Sequence, residues 1–595
     1  MRKLLLIATL LLFTHEAWAV NKYPVIAGGA WQTDATWTLN SDGTANATVA
    51  PTASDDVFFN STSGNVTIGA TAVAKSLDCT GYTGTLTQNS TATISGSVTL
   101  VSGMTFTYTS GTLVMSTTGT LTTGGKLIGP LTLSSGTVTL ADNLSFFAAK
   151  TINFVVTAAL DMNGKTVAGN SSTNRVIIRS GTLGTSSGVI TLNGGTFSNA
   201  DFRDVQLSAS TDLSAITGLS GDCGGNTNIT FTTAATQTYT GGTDSWSTAA
   251  RWTSRVPLPQ DDVVITGQSG AYTVTGDMRS LGKSIDWSSA LGTPTFNNNT
   301  IATTSYGSLT LVSTMVSSGG SGHTFEGRGS FTLDTRGIAL TTGQGTTIAM
   351  VGGTLTLLSA VNFNNLVSNS VSLTNGTLNT NGFTVTSGTF SASNATTRTL
   401  TLGATTWNLA RSGGAASHWD LSTTTNLTFN AGTSTIVHTQ VGATAYTFAG
   451  GGLTYNNLSI SGGGAGAVII TGSNSFYDIY MNPSVGGTKS LQITSGTTQT
   501  IRGGSNGFRN QNYLWTLTET SGTDPIFLMS GGPFRGDYLS LTAIDCSLSG
   551  AKCYAGPLTH STDGGGNTNW IFSAAPNQTF EGTFIGDEEQ LVYKA

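Results

Sequence analysis

Short runs in which an apolar residue alternates with a hydroxyl residue occur along almost the whole chain. SVTLVS (Ser97–Ser102), TVTL (Thr137–Leu140), GVITLNGG (Gly188–Gly195) and LTLLS (Leu355–Ser359) are β-branched and end at Gly, Asn or Ser. A period of two sends successive side chains to opposite faces of a strand. No window of a dozen residues carries the helical period. The pattern predicts an all-β chain, either a string of antiparallel sandwiches or a solenoid.

Repetition chooses between the two. Phrases of the type S/N/G-G-T-[LVF] recur with their central glycine at 84, 111, 136 and 181, and again at 353 and 376. The gap from 136 to 181 is close to twice the others and is taken as two units. The period is then about 23 to 27 residues, one coil of a parallel β-helix, whereas tandem sandwiches repeat at roughly 100. The expected fold is therefore a right-handed parallel β-helix, with strands about 4.8 Å apart.

A larger repeat lies over the coils. GGAWQTDATW (Gly28–Trp37) leads through Pro51 to DDVFF (Asp55–Phe59), and GGTDSWSTAARW (Gly241–Trp252) leads through Pro257 to DDVVI (Asp261–Ile265). Each of these opening motifs has two tryptophans six apart, Trp31 and Trp37 or Trp246 and Trp252, and a proline four residues before Asp55-Asp56 or Asp261-Asp262. SLDC (Ser76–Cys79) and SIDW (Ser284–Trp287) follow. Each module then ends on a closing motif: DCGGNTNITF, with Asp222 and Asn226, or DGGGNTNWIF, with Asp563 and Asn567. The boundaries read as two tandem modules, 20–231 and 232–572, with an acidic tail at 573–595. The stretch from Asp261 to Asp563 is much longer than that from Asp55 to Asp222, so the second module holds about five or six more coils. The end of a solenoid exposes unpaired backbone and apolar side chains, so terminal units must cap. Opening and closing motifs are assigned that role, the Gly-Gly-Asn run turning the chain out of the stack.

Residues 1–19 stand apart as a secretory signal peptide. Arg2 and Lys3 precede an apolar run from Leu4 to Phe13, and Ala17-Trp18-Ala19 provides a small-x-small cleavage site. The localisation expected is secreted, extracellular or cell-surface, with no transmembrane span after cleavage. Only 9 % of residues are charged, and the net charge of −6 includes no basic stripe, which excludes nucleic acid as a partner.

The paired-Trp opening motif, the line TFAGGGLTYNNLSISGG (Thr447–Gly463) and the ending YAGPLTHSTDGGGNTNWIF (Tyr554–Phe572) resemble secreted or phage-associated right-handed β-helix surface proteins, adhesin-like or tail-fibre-like, of pectin-lyase-like fold. The resemblance covers nearly the whole mature chain. It implies a structural or binding role and brings no catalytic residues with it. A signal peptide suits the cellular version better than a phage tail.

Candidate chemistry is sparse. The acidic pairs Asp55-Asp56 and Asp261-Asp262 can bind calcium or act as acid and base. On a strand, however, one carboxylate of each pair points outward and the other toward a backbone cap. Capping is the reading adopted; no cofactor is assigned, structural calcium being the one alternative. From Gly84 to Ala200 the charged residues are Lys126, Asp142, Lys150, Asp161, Lys165, Arg175 and Arg179, at spacings that do not match a coil. The second module offers His323 near Glu326, SHWD (Ser417–Asp420), Arg502 and FRNQNY (Phe508–Tyr513). None makes a catalytic constellation, so the chain reads as a non-enzyme with no metal site and no assigned binding residue.

Trp407, Trp419, Tyr455, Tyr480 and Trp515 either offer rings to sugars or fill the core. Cys546 and Cys553, seven apart in an exported chain, are spaced for a local disulfide. Cys79 and Cys223 lie about six coils apart, roughly 30 Å at one rung spacing per coil, and a linear solenoid forbids their pairing. The function expected is a non-catalytic surface or adhesive protein whose partner is an extracellular glycan or cell surface. The alternative is a glycan-active lyase or depolymerase, or a phage receptor-binding fibre. An ice- or crystal-binding face requires one flat side of in-register threonine, which coils of uneven length disfavour.

Overall fold

The computed structural model describes residues 19–573 except 47, 156, 187, 299–300, 341–344, 364–369, 412–416, 440–441, 463–464, 482–488, 504–507, 510–513 and 547–552. The signal peptide and almost all of the acidic tail lie outside the described residues. The chain is all-β, 1 % helical, and its strands stack in parallel as a solenoid of about 21 turns. It divides into two compact units, Met1–Thr233 and Ala234–Ala595. No helix among the described residues is long and apolar enough to cross a membrane.

In the first unit three sheets form the walls, two of eleven strands and one of four. Alternation along each strand buries one column and turns the next outward. One buried column runs Val57, Leu77, Val98, Leu121. A second runs Ala74, Ile94, Met115, Leu133, Phe154. The third wall stacks Val66, Leu86 and Phe106. These rungs are shorter than the period of about 23 to 27 residues that the repeated phrases suggest, and the reason is positional. Gly84 precedes the strand Thr85–Gln88, Gly111 precedes Leu113–Met115 and Gly136 precedes Thr137–Leu140, which lie on three different walls. The phrase marks a corner, whichever corner it falls at.

In the second unit one sheet of nineteen strands forms the main wall. Its longest strands, Thr346–Leu357 and Ser370–Asn379, bend at register shifts and each serve two stacks. There Gly353 and Gly376 are true neighbours one rung apart. A Cβ on Gly376, whose φ is +80°, would collide with the Met350 carbonyl oxygen. The inward column of this stack is Phe331, Leu355, Leu378, Leu400, Phe429.

On its outer side the strands present two further columns. Ser330, Thr354, Thr377, Thr399 and Thr428 form one, and Thr332, Thr356, Asn379, Thr401 and Asn430 the other. The step from Thr399 to Thr428 is visibly longer than that from Thr377 to Thr399, yet register holds through all five rungs. Uneven coil length is absorbed in the turns, so it does not prevent an in-register hydroxyl face.

The two sides of this stack differ in cost. Leu378→Ala should lower stability by about 2–5 kcal/mol through lost burial and the cavity left behind. Thr399→Val, on the next rung and outward, should stay within about 0.5 kcal/mol. Urea denaturation of the full chain measures both, and equal effects would contradict the assigned faces.

Candidate functional site

The residues singled out by repetition form two matched sets. In the first opening motif a single 3-10 turn, Asp34–Thr36, delivers Trp37 to the core; in the second, Ala249–Arg251 delivers Trp252. Trp37 Nε1 donates to the Trp31 carbonyl oxygen and Trp252 Nε1 to that of Trp246, at 2.7 Å in both. Ring centroids are 4.9 Å apart in both pairs. All four indoles are buried, and in each pair the first indole N–H has no hydrogen-bond partner.

The acidic pairs split between inside and outside. Asp55 is buried and accepts from the backbone N–H of Val20 (3.1 Å) and of Thr52 (2.8 Å). Asp261 is fully buried and accepts from the N–H of Ala235 and Leu258 and from Arg255 Nη2 at 2.6 Å. The outward Asp56 meets Lys75 Nζ at 2.9 Å and the Ser76 hydroxyl at 2.5 Å. Partial burial opposes ionisation of Asp56, but Ser76 and Lys75 together hold its carboxyl below the usual value. Asp262 accepts from the Ser284 N–H at 3.3 Å. The buried members are thus occupied by amide donors that close the Pro-to-Asp turn.

The closing motifs are also twins. Asp222 accepts from the Gly224 N–H and from Asn226 Nδ2, both at 2.8 Å, while Asn226 Nδ2 also reaches the Phe202 carbonyl. Asp563 accepts from the Gly565 N–H at 3.0 Å and from Asn567 Nδ2 at 2.7 Å, and Asn567 Nδ2 reaches the Leu541 carbonyl. Both glycine pairs have positive φ, 91° and 76° in the first, 89° and 74° in the second. Contrary to the expected exit from the stack, each corner leads into one more rung. Thr227–Thr230 pairs with Val205–Asp212, and Trp570–Ile571 with Cys553–Tyr554.

Cys546 and Cys553 are joined, with Cα atoms 6.3 Å apart. Cys79 and Cys223 are buried and form no disulfide. Trp407, Trp419, Tyr455 and Trp515 are all buried in the core, so a sugar-stacking platform made of these rings is set aside.

The scattered charges serve corners. Arg175 pairs with Asp201 at 2.6 Å and donates to the carbonyls of Ala200, Gly218 and Leu219. Arg398 is buried against the carbonyls of Ala392, Thr396, Thr423 and Thr425. Arg502 donates to the Tyr455 carbonyl at 2.6 Å. Residues 510–513 of FRNQNY lie outside the described residues.

One exposed pair joins His560 to Asp537 at 3.2 Å, with the imidazole stacked on Tyr538. It brings together one carboxylate and one base, where hydrolysis of a glycosidic bond ordinarily uses two carboxylates. Among the described residues, no group of three or more His, Cys, Asp or Glu side chains is placed to hold a metal ion.

A further cluster was not visible in the sequence. His418, His438, Tyr446 and Lys489 are buried together in the second unit. The His418 ring lies 4.8 Å from Tyr446 and 6.0 Å from His438, all nearly parallel. Lys489 Nζ donates to the Tyr446 hydroxyl at 2.6 Å. No nitrogen of either imidazole has a hydrogen-bond partner. Burial pushes Lys489 down to about 8 and Tyr446 up to about 12. The signal was a violated alternation: in TIVH (Thr435–His438), His438 takes the inward place that Leu409 and Ile460 fill on adjacent rungs. His323, on another column, is buried between the Thr303 and Ser305 hydroxyls at 2.9 and 3.0 Å.

No family model matches the chain, and neither a curated protein nor a solved structure matches it.

Burial lowers His323 and His418 to about 4, the latter with help from Arg411, and lowers His438 to about 3. An unfolded imidazole takes up its proton near pH 6.5, so between about 6.5 and those lower values acid protonates the unfolded state first and stability falls. The loss is about 1.4 kcal/mol per pH unit for each histidine. His438→Leu should therefore flatten the decline in stability from about pH 6.5 to 4 by that slope. Urea titrations at a series of pH values measure it, and an unchanged slope would show that His438 is not buried as neutral imidazole.

Proposed function

We propose that the chain is an exported, non-catalytic structural protein that adheres to extended, neutral, hydroxyl-rich surfaces, with extracellular polysaccharide as the leading class. The observation that carries this reading is the double column on the second unit, five rungs of Ser, Thr and Asn side chains without a charge. Rungs repeat at about 4.8 Å, and positions within a strand at about 6.6 Å. Each hydroxyl both donates and accepts, and each amide does the same. A single contact of this kind is weak. Ten on a rigid sheet add up only against a ligand that is itself extended and repetitive, which favours a solid surface over one small sugar. The polar face also lacks the cationic groups that phosphate-rich partners require.

The N-terminal segment supports export, and N-terminal sequencing of protein recovered outside the producing cells should begin at Val20. Sedimentation with insoluble polysaccharides tests the adhesive face. The full mature chain should bind at least one of cellulose, chitin or cell-wall material, with little change between about 0.05 and 0.5 M salt. The double variant Thr356→Arg with Thr401→Arg places two bulky charges in the face at little cost in stability. It should reduce binding at least about tenfold, the worth of one or two lost hydrogen bonds. Binding that survives both substitutions rules out this face as the adhesive surface.

A further inference from the structure

The two opening motifs close their Pro-to-Asp turns with the same backbone bonds. Aligned on Pro51 and Pro257, VAPTASD (Val49–Asp55) matches RVPLPQD (Arg255–Asp261). Asp55 Oδ2 accepts from the Thr52 N–H at 2.8 Å, and Asp261 Oδ2 from the Leu258 N–H at 2.9 Å. The main-chain carbonyls of the two aspartates accept from the N–H of Lys75 at 2.8 Å and of Lys283 at 2.7 Å. Each Oδ1 then takes one more backbone donor, Val20 at 3.1 Å in the first unit and Ala235 at 2.8 Å in the second. Val20 and Ala235 hold matching places, each one residue before the strand residue, Asn21 or Thr236, that pairs with Asp56 or Asp262.

The charge balance differs between the twins. Asp261 is fully buried and faces Arg255, whose Nε and Nη2 donate to its two oxygens at 2.9 and 2.6 Å. Asp55 is 3 % exposed, and its remaining donor is the neutral Thr52 hydroxyl at 2.8 Å. Val49, 57 % exposed, takes the place of Arg255. Lys22 Nζ is committed to the Thr48 hydroxyl and the Val49 carbonyl, and Lys75 Nζ to Asp56. Among the described residues, then, no side-chain cation pairs with Asp55. A buried carboxylate held by neutral donors alone is costly, and an adjacent cation relieves that cost.

We propose that the missing cation is the chain's own α-amino group, created when the bond between Ala19 and Val20 is cut. The inference rests on the export reading, in which removal of the signal peptide leaves Val20 as the first residue. Water adds across that bond, leaving a carboxylate on Ala19 of the released leader and an amine on Val20 that is protonated at neutral pH. The Val20 nitrogen already lies 3.1 Å from Asp55 Oδ1, so an amide hydrogen bond becomes an ion pair with no rearrangement of the turn. Ala235 lies inside the chain and gains no charge, and there Arg255 supplies it. Cleavage thus completes the first opening motif, and a retained leader leaves Asp55 with neutral partners.

Full mature chains of defined first residue test this, one starting at Val20 and one at Ala19, each released from a fusion partner. Ala19 is exposed, so the added residue meets no obstacle, yet it moves the charge one residue away and leaves Val20 a neutral amide. Hydrogen exchange over Asp55–Phe59, read by mass spectrometry, should be about tenfold faster in the Ala19 chain, the difference between a charge-assisted and a neutral bond. Asp261–Ile265 provides an internal reference and should exchange equally in both. In an Asp55→Asn background the two chains should differ by less than about twofold, because no charge couples the two sites. Should Asp55→Asn fail to fold, Val49→Arg in the Ala19 chain sets a guanidinium where Arg255 stands and should restore the Val20 rate. Equal exchange of the two starting chains, a difference that persists in Asp55→Asn, or no recovery with Val49→Arg would each overturn the ion pair. An exported protein whose first residue is not Val20 would instead overturn the cleavage reading on which the inference rests.

Discussion

Everything in this molecule depends on one constraint: each coil must return its strands to the register of the coil before. Parallel pairing fixes the backbone, and alternation then fixes which side chains meet. Val57 can face Leu77, and Leu355 can face Leu378, only because the intervening chain closes on the same rung. The constraint acts on strands and leaves turns free. The short coil from Met115 to Leu133 and the long one from Leu400 to Phe429 therefore obey the same pairing rule. This freedom allows two modules with matched ends to hold different numbers of coils.

The ends carry the opposite constraint. Inside the stack every rung supplies the hydrogen-bond partners of the next, whereas a terminal rung has neighbours on one side alone. The opening motifs hold an indole pair locked by its own N–H to carbonyl bond, and a buried aspartate that accepts from the adjoining turn. The closing motifs hold a corner of the last coil with an Asp-Asn clamp around two left-handed glycines, tied back to the coil before and repeated with nearly the same distances and angles. Each solution needs particular residues at particular places. That is why these phrases recur almost letter for letter while the coils between them drift.

The sequence was most legible where local chemistry suffices. Alternation, the paired opening and closing motifs, and the spacing of Cys546 and Cys553 are local patterns with local causes. It was least legible where the coil joins distant residues. Tyr446 meets both the His418 ring and Lys489 Nζ, through a register that composition cannot supply. The repeated glycine phrases pointed to nearly the right period although they sit on different walls, because a corner is needed at each of them. Uneven coil lengths argued against a regular threonine face only under the assumption that strands, and not turns, absorb the difference. Trp407 and Trp419 could not be placed from their neighbours alone, since only the register shows that they stack on Val385 and Phe390 inside the core.

The two interiors depart from each other in a consistent direction. In the first unit the buried ion pair of Arg175 and Asp201 is satisfied by three carbonyls at a corner, and the ladder toward Phe106 is filled with hydrocarbon. In the second, inward positions are given to His323, His418 and His438. A polar residue in an inward column weakens its own rung but leaves the register intact, because the backbone ladder on either side still pairs. Long solenoids can therefore carry such positions at a cost confined to a few neighbouring coils. The longer unit has more coils over which to spread that cost, and it is the one whose core takes in the buried histidines.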